Sequence, residues 1–138
     1  MHHPPTALIA IVVAVLTAGT AASQDANKAA QTVKDVMQTM TIPASDAIFS
    51  AASEPPKDET QWVALRTSAA TLAESGRLLT MTARAKDDHD WTEMARALVT
   101  EAEATFKAID AKAPDTLSQA SDSLYLTCET CHARYLGQ

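Results

Sequence analysis

Both cysteines of the 138-residue chain fall in one pentapeptide, Cys128-Glu129-Thr130-Cys131-His132. On a helix, positions i, i+3 and i+4 share one face, so the two thiols and the imidazole would project together. This is the C-x-x-C-H spacing of covalent c-type haem attachment. The thiols form thioethers with the haem vinyl groups, and the neighbouring imidazole reaches the iron as proximal ligand. Rival chemistries fit less well. A Cys128–Cys131 disulfide would close a tiny loop and leave His132 without a role. A thioredoxin-type redox pair needs a βαβ context, which the sequence lacks. Zinc needs a fourth ligand, and the only histidine of the mature chain besides His132 is His89, in a polar stretch. Residues 129–132 also spell Glu-x-x-His, but a di-iron bundle needs two such motifs and the sequence has one.

A helical frame must carry this motif. Alanine supplies 28 residues, whereas Phe, Trp and Tyr together make up 4% and Gly only 3 residues. Alanine has the best helix propensity, and the scarcity of aromatic residues and Gly disfavours a β protein. Apolar residues recur at three- and four-residue steps in four segments. The first runs from about Asp25 to Ala52 through Val33, Val36, Met37, Met40, Ala44 and Ile48, with Pro43 predicting a kink or a break and restart. After the linker 53–57, Asp58 with Gln61 reads as a capping box. It opens a second helix that buries Trp62, Leu65, Ala69, Leu72 and Leu79 and ends near Thr82. Asp90 with Glu93 repeats the pattern for a third helix carrying Trp91, Met94, Leu98, Ala102, Phe106 and Ile109. The fourth runs from about Asp115 to Leu136 with Leu117, Leu124, Cys128, Cys131, His132 and Tyr135 on one face. Four amphipathic helices with short connections predict an all-α, antiparallel up-down-up-down four-helix bundle with a covalently bound haem. The many alanines imply a thin core with room for a large flat group.

In such a bundle the end of helix four lies beside the beginning of helix one. A sixth iron ligand is then expected on the first half of helix one, at a core position. Met37 meets both conditions. Met40 fits less well, being one turn farther along and close to Pro43, and a distal face without a protein ligand stays open. Met81 and Met94 belong to other helices. Trp62 and Trp91 read as core anchors, with contact to the haem edge as the sharper alternative. Lys34, Arg66, Arg77 and Arg84 are candidates for pairing with haem propionates.

The net charge is −6, with no run of Lys or Arg, so nothing points to nucleic-acid binding. The first 22 residues carry no Asp, Glu, Lys or Arg, and residues 7–16 are an unbroken apolar run followed by small residues. This reads as a secretory signal peptide, 1–23, ahead of a mature domain 24–138. The alternative is a short uncleaved membrane anchor, but the run is shorter than the roughly 20 apolar residues that span a bilayer; no stable membrane span is expected after cleavage.

With CETCH near the C-terminus of an exported four-helix chain, the sequence resembles the class II cytochromes c, the cytochrome c-prime and cytochrome c-556 group. The most specific stretch is Cys128 to Tyr135 (CETCHARY), with Tyr three residues after the motif His. The stretch Val33 to Met40 (VKDVMQTM) is similar to the low-spin branch, where a first-helix Met binds iron. The resemblance covers roughly Asp25 to Gln138. It implies a periplasmic monohaem electron carrier and no enzyme, held by Cys128 and Cys131 with His132 and Met37 as iron ligands. It also implies redox partner proteins, with monomer or homodimer left open. The alternative is a c-prime-like gas-binding or sensing protein with an open distal site. Against that stands Leu136, four residues after His132, where the c-prime pattern often has a basic residue.

Overall fold

The computed structural model describes residues 32–87 and 89–136. The expected signal peptide, 1–23, and the start of the first predicted helix lie outside the described residues. Every regular element among the described residues is helical. A first run comprises α1 (Val33–Val36), a π segment (Met37–Thr41) and α2 (Ile42–Ser53). It is followed by α3 (Glu59–Leu79), α4 (Asp90–Asp110) and α5 (Pro114–Tyr135). α3 packs on α4, α4 on α5, and the first run on both α3 and α5. Each run thus has two neighbours, an arrangement compatible with a four-helix bundle. No described helix is long and apolar enough to cross a membrane.

The helix starts follow from local chemistry. Thr32 and Asp35 form a reciprocal capping box at α1, with the Thr32 amide 2.9 Å from the Asp35 carboxylate. Asp58 accepts the Gln61 amide at 2.9 Å, as expected, but Gln61 returns its side-chain oxygen to the Lys57 amide rather than to Asp58. The expected Asp90–Glu93 box does not form. His89 is the capping position and makes no side-chain cap. Asp87 does this work instead, its Oδ1 accepting the Trp91 amide at 2.9 Å and the His89 amide at 3.2 Å. Pro43 does not break the first run, which stays helical from Val33 to Ser53. The helix passes through it by widening into the π segment, with the Ile42 N–H donating to the Met37 carbonyl.

Val36, Ile48, Leu72, Ile109, Leu117 and Leu124 are the large apolar residues most completely buried. Among the described residues, seven of the 17 buried apolar ones are alanines, which lets neighbouring helices approach closely. Gly76 marks such an approach between α3 and α4, because a Cβ there would fall 2.8 Å from Val99 Cγ2. Overpacking typically costs ~1–3 kcal/mol, and the better helix propensity of Ala returns ~1 kcal/mol. Gly76→Ala is therefore expected to lose up to about 2 kcal/mol of stability, read as a lower midpoint in urea. An unchanged midpoint would show that Val99 yields freely.

Candidate functional site

One apolar cleft gathers residues from all four runs. Met37, Thr41, Ile42, Ser45 and Phe49 come from the first run, and Leu79 from α3. α4 contributes Trp91, Met94, Ala95 and Leu98, and α5 contributes Tyr125, Thr127, Cys128, Cys131 and His132. The cleft encloses about 170 Å³ and opens to solvent, about 770 Å³ counted with its open mouth. Cys128, Cys131, His132 and Met37 thus share one cavity, whereas Met40 is not on its wall. Met94, set aside by the topology argument, is a second methionine of the wall.

The thiols are free and half-buried, and His132 is exposed at the cleft. Burial pushes both thiols above their ordinary range, and Cys131 adds to the effect on Cys128. They stay protonated at neutral pH, unlike the low-pKa thiol of a redox pair. Among the described residues no three His, Cys, Asp or Glu side chains converge as a cation site, so neither the zinc nor the di-iron reading finds a ligand set. Imidazole and thioether donors on an apolar wall suit a softer transition metal rather than calcium or magnesium.

The tryptophans divide. Trp91 is 4% exposed, lines the cleft and donates its indole N–H to the Leu79 carbonyl at 2.7 Å. Trp62 is half-buried against the core and away from the cleft. None of the four candidate propionate partners lines the cleft. Arg66 pairs with Asp110 at 3.1 Å and lies over the Phe106 ring, and Arg77 pairs with Glu74 and Glu103. Arg84 is buried and donates to the Leu78 carbonyl at 3.0 Å, and Lys34 is exposed on α1.

The turn after His132 is anchored from outside the motif. The Tyr135 hydroxyl donates to Asp87 Oδ2, and its ring meets Trp91 edge-on at 5.0 Å. Arg134 pairs with Asp90 at 2.8 Å. Asp87 therefore holds the start of α4 and the end of α5 with one carboxylate. Sequence reasoning missed it because a carboxylate in a polar loop carries no periodic signal. Phe49 and Tyr125, an edge-on pair at 6.1 Å across the cleft, had a weak signal, Tyr125 standing one turn before Cys128.

The amide of Trp91 and then the hydroxyl of Tyr135 hold the Asp87 carboxyl below the usual carboxylate range. A carboxyl depressed in the folded state stabilises it above its unfolded pKa of ~3.9, and that contribution fades as pH falls through the folded value. Asp87→Asn should narrow its stability gap to the wild type as pH drops through this window, read from melting temperatures at a series of acidic pH values. A gap independent of pH would mean that the charge of Asp87 does not matter.

No protein-family model, curated protein or solved structure matches the chain significantly.

Proposed function

We propose that the chain is an exported monohaem c-type cytochrome of the class II kind, working in the periplasm as an electron carrier. One observation carries this reading: the C-x-x-C-H thiols and imidazole share an apolar cleft with Met37 of the first run. The residues fit the group. Cys128 and Cys131, at i and i+3 on α5, are half-buried free thiols suited to two thioethers. His132, the next residue, would offer a proximal imidazole, and Met37 a thioether from the neighbouring first run. Ile42, Phe49, Leu79, Leu98 and Trp91 supply apolar contact. When bound, haem supplies an iron centre that exchanges one electron. The chain's own apolar residues would cover part of the group, and His132 and Met37 would hold its ligand set. Methionine opposite histidine favours a raised potential suited to electron transfer.

The reading includes an antiparallel up-down-up-down order, which brings the end of α5 beside the start of the first run. It includes cleavage of the signal peptide, since c-type haem is attached outside the cytoplasm, and docking with redox partner proteins. The absorption spectrum of the purified reduced protein tests it. A low-spin spectrum unchanged by CO fits the carrier, whereas high-spin haem that takes up CO fits a c-prime-like gas-binding protein.

A further inference from the structure

The π segment begins on Met37, one of the two methionines that line the cleft. Below it, the cleft-lining residues Phe49, Ser45 and the pair Ile42 and Thr41 follow one face of a helix at its 3.6-residue repeat. Continued without interruption, that face reaches Gln38, which lies three turns above Phe49 to within about 20°. Met37, one residue farther, would be turned about 120° from Phe49 and stand at the edge of the face, about 40° beyond Thr41, with Gln38 at its centre. In the structure Met37 lines the cleft, Gln38 is exposed and Val36 is fully buried. The wider π turn adds one residue between the two stretches of α-helix and rotates the upper one accordingly.

The cause is local. In a regular α-helix the ring of Pro43 would collide with the Thr39 carbonyl, and its nitrogen has no proton to donate. The chain instead bonds the Ile42 amide to the Met37 carbonyl. Thr41 then holds the widened turn against α3. Its hydroxyl lies 3.4 Å from the Val36 carbonyl and 3.0 Å from Ser75 Oγ, and Ser75 donates onward to the Leu72 carbonyl at 2.8 Å.

We propose that Pro43 is a positioning residue whose π segment turns Met37, rather than Gln38, into the cleft. The inference rests on the reading of Met37 as an iron ligand, and the test separates the two. Haem-loaded full-length Met37→Ala, Pro43→Ala and Pro43→Ala with Gln38→Met are compared by the spectrum of the oxidised protein, with far-UV circular dichroism reporting helix content. Met37→Ala should be high-spin. Pro43→Ala should also become mostly high-spin with its helix content kept, and adding Gln38→Met should return most of the low-spin signal. A wild-type spectrum in Pro43→Ala beside a high-spin Met37→Ala overturns the positioning role and leaves the ligation reading standing. Failure of Gln38→Met to restore the signal overturns the register argument. Loss of helix content in Pro43→Ala also overturns it, since Ala is the better helix former. A low-spin Met37→Ala overturns both readings.

Discussion

Replacing Cys128 and Cys131 with Ser should leave a chain that shows no haem stain on a denaturing gel and melts without a cooperative transition. The first result follows from removing both thioether positions. The second follows from the cleft. Each 100 Å² of apolar surface kept from water is worth about 2.5 kcal/mol, and a domain's whole stability is ~5–15 kcal/mol. A haem wedged between Trp91, Leu98 and Phe49 would withdraw several times that area. Without it, residues such as Ile42 and Tyr125, 49% and 56% exposed, leave much of their apolar surface in water. A sharp, wild-type-like melting curve in the double variant would show that the helices fill their own core.

Met37→Ala should convert the oxidised protein from low-spin to high-spin and let the reduced protein take up CO. Its potential should fall by on the order of 0.1 V, within the ~0.8 V range that axial ligands cover. Met40→Ala should leave the spectrum unchanged, because Met40 is not on the cleft wall. Met94 is the informative control. A low-spin Met37→Ala together with a high-spin Met94→Ala would move the distal ligand to α4.

The sequence made the helices legible because their burial is periodic. Leu65, Leu72 and Leu79 on α3, and Leu117 and Leu124 on α5, sit buried where the spacing expects them. The α5 half of the candidate site was legible for a different reason: its residues are neighbours in sequence, so a motif suffices. Met37 was reached through topology, yet the reason it faces the cleft was not visible. The effect of Pro43 depends on whether the helix breaks, kinks or widens, and the packing of Thr41 on Ser75 favours widening. Asp87 was missed because its partners Trp91 and Tyr135 are brought to it by two different helices. Distances along the chain, 48 residues in the case of Tyr135, carry no local pattern.

The alanine-lined helix contacts bear on how the protein responds to temperature. An alanine side chain has no rotamer entropy to surrender when it is buried, so these contacts form at little ordering cost. They also hide little apolar area, and the heat capacity of unfolding scales with that area. The contribution of these contacts to the stability curve is therefore shallow, low at its maximum but slow to decline on either side. Enclosing a large apolar prosthetic group would add the curvature and the height that the side chains do not provide.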